Sequence, residues 1–349
     1  MQGMLTIYKL EDTKRWDETV RSFDNHDVYY LNGYVKGFHI HGDGEPLLLC
    51  YEKNGLRGIN VVMKRDIASS PKFNNKLKRN TCFDFSTPYG YGGWLLEGDI
   101  INKEMLFREY EQWCVDNGII SEFVRFHPVL ENAGFSKGFY DIVPLGHTVC
   151  LDISDTDTLW ANITSKNRNL IRKAEKNGVQ IFESSSAEMY QQFTKIYNQT
   201  MDLDNAESYY YFSKDFYDSI RIDLADNSRI FYAVQNEKII AASIILLANN
   251  KLNYHLSGSL LEFRTFAPTN LLLYKAALWG LANGCRTFHL GGGVGSEEDG
   301  LFKFKKSFYR GDILPRFCIG KKVFMQKQYD DLVNMFPKTD SEFFPKYRA

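Results

Sequence analysis

The same order of elements is written twice along this chain, and that repetition constrains the fold more than any single motif. In the first half, the strand Pro46–Glu52 runs into Asn54-Gly55, a dipeptide suited to the left-handed backbone of a tight hairpin turn, and Leu56–Asp66 returns beside it. A long connection follows, then a helix over Lys103–Asn117 stopped at Gly118, then a strand over Ile119–Phe126. In the second half, Arg229–Gln235, the turn Asn236-Glu237, Lys238–Ala248, the turn Asn249-Asn250 and a third run to about Ser259 predict an antiparallel meander. Pro268 opens a helix that ends at Gly284, and Arg286–Leu290 reads as a buried strand after it. Gly118 and Gly284 hold equivalent places. The residues of the two stretches are not visibly alike, so the repeat is one of pattern. It predicts an α/β (α+β) fold used twice, each copy a mixed, centrally antiparallel sheet flanked by helices, over residues 1–152 and 153–349.

The join is readable as well. Ser154-Asp155-Thr156-Asp157 starts a helix, with Leu159, Trp160, Ile163, Leu170, Ile171 and Ala174 at helical spacing and Gly178 as the stop. Val179–Glu183 is a short strand. Ser185 with Glu188 makes a capping-box pattern, and Met189, Phe193, Ile196 and Tyr197 give the next helix its apolar face. A further helix follows Ser213, and Asp312–Gly320 forms a final strand.

Composition narrows the function classes. The 349 residues carry 42 Lys+Arg against 43 Asp+Glu, a net charge of −1 that argues against a protein coating nucleic acid. The longest apolar run, Ile239–Ala248, is far below the ~18–20 residues of a membrane span. The start, MQGMLTIYKLEDTKR, lacks the apolar core of a signal peptide, so a cytoplasmic protein is expected. Six scattered cysteines make no CxxC pair and read as reduced thiols.

The segment Phe288–Gly311 is the most unusual. Glycines at the end of a strand let backbone amides approach a ligand. The segment is neither a P-loop, since Gly300 is not followed by Lys-Ser or Lys-Thr, nor a dinucleotide fingerprint, since GxGxxG fails at Ser296 or Glu298. From Leu301 to Lys322 seven basic residues face one acid, Asp312, with Phe302, Phe304, Phe308 and Tyr309 interleaved. Rings for stacking beside ammonium groups suit a phosphate or a nucleic-acid end. A second basic group, Lys166, Arg168, Arg172, Lys173 and Lys176, shares a helix, with Arg168, Arg172 and Lys176 on one face. A third, Lys72, Lys76, Lys78 and Arg79, falls in a loop; for each, a solvated surface is the plainer alternative. GxSxG, HExxH and EF-hand patterns are missing, and His39 with His41, on one side of a strand, has no metal-ligand spacing, so no metal is expected. His127, before Pro128, is a site edge or a structural histidine.

Together these residues resemble the Fem peptidyltransferase family, the FemA/FemB/FemX enzymes of peptidoglycan cross-bridge synthesis. The most specific matches are Tyr254-His255-Leu256-Ser257-Gly258-Ser259, Pro268–Leu273, Gly284, His289-Leu290-Gly291-Gly292, and Gly300 with Phe304-Lys305-Lys306 and Phe308. The basic helix ending Lys-x-Gly-Val, Tyr29–Phe38, Ser86–Trp94 and Arg125–Pro128 also match. The resemblance implies two tandem GNAT-like acyltransferase domains, a precursor-binding one and one holding the transfer site, with the substrate groove shaped by both. It lacks the family's long helical arm. It implies transfer of an amino acid from aminoacyl-tRNA, as co-substrate, to an amine of a UDP-linked or lipid-linked peptidoglycan precursor, with no cofactor and no DNA partner. A lipid-linked acceptor would bring the enzyme to a membrane surface without an anchor. Lys305 and Phe304 would sit at the transfer site. Lys36, Tyr89, Arg125 and Tyr254 would contact the acceptor, and Lys303, Lys306, Arg168 and Arg172 the donor's phosphates. An acetyl-CoA loop would precede the helix after the central strand. That place reads Glu262–Thr269, with no glycine and with Pro268 removing an amide, which disfavours CoA. The alternatives are a sugar N-acyltransferase using acyl-CoA or an acyl carrier, and a binding protein with a decayed transferase site.

Overall fold

The computed structural model describes residues 5–337 and 341–349. The chain divides into two units, Met1–Leu145 with Phe317–Ala349, and Gly146–Arg316. The first unit begins with β1 (Leu5–Lys9), α1 (Thr13–Arg21), α2 (Asn32–His41), β2 (Glu45–Lys53), β3 (Leu56–Asp66) and β4 (Phe83–Ser86). Then come β5 (Leu95–Gly98), α3 (Lys103–Asp116), β6 (Ile119–Arg125) and β7 (Asp141–His147). The second unit holds β8 (Val149–Asp152), α4 (Thr156–Asn162), α5 (Ser165–Lys176), β9 (Gln180–Ser184), α6 (Ala187–Leu203) and α7 (Lys214–Asp223). It continues with β10 (Ser228–Gln235), β11 (Lys238–Ala248), β12 (Lys251–Ser259), α8 (Pro268–Ala282), β13 (Thr287–Gly291) and α9 (Gly300–Lys306). After it, β14 (Arg316–Val323) and α10 (Gln326–Asn334) rejoin the first unit.

The repeat extends beyond the elements named from sequence. In unit 1, β1 pairs antiparallel with β2, β2 with β3 and β3 with β4, and after α3 the strand β6 lies parallel to β4. In unit 2, β9 pairs antiparallel with β10, β10 with β11 and β11 with β12, and after α8 the strand β13 lies parallel to β12. Two helices connect the first strand to the meander in each. Among the described residues the sheets have eight strands and six strands.

Each parallel strand is flanked by one further antiparallel strand, and this places the division. β8 pairs with β13, while β14, from beyond unit 2, pairs with β6. The expected division at 152/153 is therefore replaced. The chain crosses into unit 2 at 145/146, and 317–349 returns to unit 1 because the far edge of β6 takes its hydrogen bonds from β14. The helix expected over Thr156–Asn177 is also two helices. Ile163 is extended, and the Thr164 hydroxyl caps a new helix by accepting from Asn167 N–H at 3.3 Å. The cap of α6 is Ser186, one residue after the expected Ser185. His39 and His41 lie on α2, a helix and not a strand.

α8 is apolar over nearly its whole surface, Lys275 being its one charged residue, with Leu271, Leu272 and Leu273 consecutively buried. Such a helix must be covered on nearly every side. The unit 2 core does so, with Ile171 and Ala174 of α5 on one flank and Phe231, Ile240 and Ile245 of the sheet on the other. The unit 1 core joins Leu47, Leu49, Val62 and Phe85 of its sheet to Leu106, Phe107 and Tyr110 of α3. None of the helices among the described residues is long and apolar enough to cross a membrane.

Candidate active site

The site grows out of the place where β12 and β13 part. Their parallel pairing covers Lys251–Asn253 against Thr287–His289, whereas β12 stays paired with β11 as far as Ser259. A notch therefore opens beyond Asn253, with Tyr254 as its first residue on one bank and the glycines after Leu290 on the other. Gly291 takes φ +76°, which ends the strand, and the loop turns through Gly295 at φ +60° into Asp299. The Asp299 carboxylate caps α9 by accepting from Phe302 N–H at 2.8 Å.

Lys305 fills the notch. It is 8% exposed, donates to the Gly292 carbonyl at 2.6 Å, and has its ammonium 5.8 Å from the Tyr254 ring centroid. It thus touches both banks. Burial pulls its pKa down from 10.5 to about 8, with the Asp299 charge acting in the opposite direction. Tyr254 is anchored below it by the Ser257 and Ser243 hydroxyls, themselves 2.8 Å apart. Phe302 and Phe308 bury on either side of Lys305 in the chain, and Phe304 is half-buried with its ring edge-on to Phe308 at 5.6 Å. So α9 is held by its phenylalanines while its one buried lysine looks into the notch. An ammonium with a pKa lowered to about 8, beside backbone groups and an aromatic wall, can stabilise a developing oxyanion or protonate a leaving oxygen.

The predicted phosphate-binding residues separate. Lys306 donates to the carbonyls of Tyr309 and Gly311, which commits it to the turn after α9. Lys303 is exposed. Arg168 and Arg172 flank the Trp160 ring at 5.9 and 5.2 Å, and Arg168 also reaches the Trp160 carbonyl and the Ser165 hydroxyl. Arg310 joins them, donating to the same hydroxyl at 2.8 Å. Arg310 stands among the basic residues of the Leu301–Lys322 segment, and nothing in that segment places it with α5. The tie that does so, Thr164 N–H to Ser307 carbonyl at 2.9 Å, spans most of unit 2 and leaves no local signal.

In unit 1, Tyr89 and Arg125 come together. The Arg125 Nε donates to the Gly90 carbonyl at 2.9 Å and its guanidinium lies over Phe317. The Tyr89 ring stacks on Phe38, and its carbonyl accepts from the Tyr34 hydroxyl. Lys36 is half-buried on the same helix, but two residues from both Tyr34 and Phe38 it falls on the opposite flank of α2. Tyr254, grouped with these from sequence, belongs to the Lys305 notch in unit 2. His127 is buried, with Nε2 on the Asp27 carboxylate at 3.2 Å and Nδ1 accepting from Leu130 N–H at 3.3 Å, which is a structural role. Lys72 and Lys76 sit over the Phe336 ring, while Lys76, Lys78 and Arg79 are exposed in the turns after Phe73, which makes that basic group a solvated loop surface. The described residues contain no group of three or more His, Cys, Asp or Glu side chains able to hold a metal.

Before α8 the backbone makes a tight 3-10 segment, Leu261–Phe266, and Ala267 enters the helix at φ +54° ahead of Pro268. Pro268 offers no N–H, and no glycine opens the turn for a pyrophosphate.

Comparison with known proteins agrees with this architecture. Residues 163–306 match the family model described as an acetyltransferase (GNAT) domain. Over 183 residues the chain is 27% identical to a UDP-N-acetylmuramoylpentapeptide-lysine N(6)-alanyltransferase of Weissella viridescens, covering 51% of this chain and 53% of that protein. The chain thus spans about half the length of that curated relative. The solved structure of FemX superposes with a TM-score of 0.67 at 15% identity, over 91% of this chain and 97% of that one. The C-terminal domain of a putative lysylphosphatidylglycerol synthetase from Agrobacterium fabrum superposes at 0.55 with 12% identity, over 93% and 96%. Residues 163–306 thus match a GNAT domain, and the chain shares the fold of FemX, two GNAT-like units in tandem.

Proposed function

We propose that this chain is an aminoacyltransferase that moves an amino acid from aminoacyl-tRNA to an amine of a peptidoglycan precursor, UDP-linked or lipid-linked. The observation that carries the proposal is Lys305, a buried ammonium held by the Gly292 carbonyl where two strands of a GNAT-like unit part. The relative from Weissella viridescens, an alanyltransferase acting on a muramoyl pentapeptide lysine, supports both the reaction class and the acceptor.

The neutral amine attacks the ester carbonyl, a C–N bond forms, and the bond to the ribose oxygen breaks. The proton lost by the amine ends on that oxygen. Lys305 stabilises the negative charge on the tetrahedral intermediate, hands its proton to the leaving oxygen and takes back the one the amine loses, a relay for which an ammonium with a pKa of about 8 is well matched. Phe304 packs against the donor's terminal base. Arg168, Arg172 and Lys303 receive donor phosphates, while Tyr89, Arg125 and Lys36 serve the acceptor. The reaction takes place in the cytoplasm. An acyl-CoA donor fits poorly, because Pro268 and the glycine-free Leu261–Phe266 segment lack the amides of a pyrophosphate cradle.

The test incubates the protein with labelled aminoacyl-tRNAs and muramyl-pentapeptide precursors, soluble and lipid-linked, and follows label into precursor. A parallel reaction with acyl-CoA monitors thiol release. Label transfer without thiol release is expected. No transfer from any aminoacyl-tRNA would overturn the proposal.

A further inference from the structure

Asp299 makes two kinds of contact at once. One oxygen caps α9 through Phe302 N–H at 2.8 Å, and the other accepts from Val294 N–H at 3.3 Å across the glycine loop. The loop closes around it: a Cβ at Gly293 would lie 2.1 Å from the Glu297 carbonyl and 2.4 Å from the Asp299 carboxylate, so only glycine fits there. The carbonyl one residue earlier, Gly292, is the one that receives the Lys305 ammonium. Burial works against ionisation of Asp299. The backbone N–H groups of Phe302, Val294 and Leu301, together with Lys305, outweigh it and hold the carboxyl below its usual range.

The other titratable groups around α9 do not duplicate this role. Glu297 and Glu298 are exposed, the latter facing His147 at 3.9 Å. On the strands, Tyr254 presents its ring, His289 is buried in β13, and Cys150 and Asp152 lie on β8. On the helix itself Lys303 is exposed and Lys306 is bound to carbonyls. Asp299 is the charge that offsets the burial of Lys305.

We propose that Asp299 is a positioning residue for Lys305: its single carboxylate ties the glycine loop to the start of α9, fixes the Gly292 carbonyl that holds the ammonium, and supplies the negative charge beside it. The inference rests on the reading of Lys305 as the transfer-site residue.

Asp299→Asn tests it, because Asn still caps a helix but loses the charge and presents a donor to Val294 N–H. Two pH profiles are read: the alkaline limb of kcat/KM for transfer, and the labelling of Lys305 by acetic anhydride, followed by mass spectrometry without substrate. Both midpoints should move to lower pH by about half a unit to one unit, with the melting temperature little changed. Asp299→Ser, which keeps a capping oxygen but no charge, should move the labelling midpoint the same way and serves if Asp299→Asn folds poorly. Unchanged midpoints in both variants, or a move to higher pH, would overturn the positioning role even with Lys305→Ala inactive. Full transfer by Lys305→Ala would instead overturn the proposed transfer site, and leaves the labelling result to stand for itself.

Discussion

Glu122 in unit 1 and Lys305 in unit 2 are both buried ionisable groups, and the two are treated in opposite ways. In unit 1 Glu122, on β6, is 1% exposed and accepts from the Tyr140 hydroxyl at 2.7 Å, the Tyr110 hydroxyl at 2.9 Å and Asn60 Nδ2 at 3.2 Å. In unit 2 Lys305 is 8% exposed, and its described hydrogen bond is the one to Gly292. An ammonium has three N–H groups to place. Glu122 is surrounded by side chains of its own core, as a structural group should be. Lys305 stands where two strands diverge, with a loop carbonyl on one side and a tyrosine face on the other. The same fold thus carries a buried acid with three side-chain donors in one copy and a buried ammonium with one described acceptor in the other, and the second has hydrogen-bonding capacity left for a substrate.

The largest effect that would sharpen this contrast is on turnover. Lys305→Ala should slow transfer about 10²–10³-fold, the roughly 3–4 kcal/mol that a preorganised charge contributes to a barrier, while changing unfolding free energy by about 1 kcal/mol or less. Steady-state transfer and chemical denaturation check the two halves. Unit 1 should behave the other way. Asp84 is fully buried and is held by Arg65 Nε at 2.7 Å, Arg348 Nε at 2.6 Å and the Tyr347 hydroxyl at 3.0 Å. Asp84→Ala strands those donors and should cost about 3 kcal/mol or more of stability.

A smaller effect follows from Glu122 itself. Burial raises its pKa from 4.5 to about 7, against the pull of its three donors. Between these values the folded state keeps a proton that the unfolded state has released. The resulting stability is complete below about pH 4.5 and is lost as pH rises through 7. Gln takes no part in this titration. Urea titrations of Glu122→Gln should therefore show stability falling less than in the parent protein between pH 5 and about 7.5. Smallest of all, reversing Arg168 and Arg172 to Glu should weaken tRNA-dependent transfer about tenfold at low salt and less at high salt, since phosphate contacts are salt-dependent. KM for tRNA at two ionic strengths measures it.

The chain made much of this legible, for reasons that differ by element. The meander and the two helix-Gly-strand units carry turn dipeptides and glycine stops, which act locally. Phe304, Lys305 and Phe308 stood out because they lie in one short segment. Strand β7 did not stand out: it contains Pro144, lies at the edge of its sheet and has little alternation. The split between α4 and α5 was hidden because Ile163 and Leu170 keep helical spacing across a break made by the Thr164 hydroxyl. The return of β14 to unit 1 depends on which sheet edge is open, a property of the folded partner and not of Arg316–Val323. Asp299 and Arg310 were unreadable for a related reason, since their partners are backbone groups and a residue far along the chain.

The most direct test of the account measures single-turnover aminoacyl transfer and thermal unfolding on the same preparations of Lys305→Ala and Asp84→Ala. Lys305→Ala should melt with the parent protein but transfer about 10²–10³-fold more slowly, and Asp84→Ala should melt early yet, while folded, transfer at the parent rate. Transfer at the parent rate by Lys305→Ala would contradict the account.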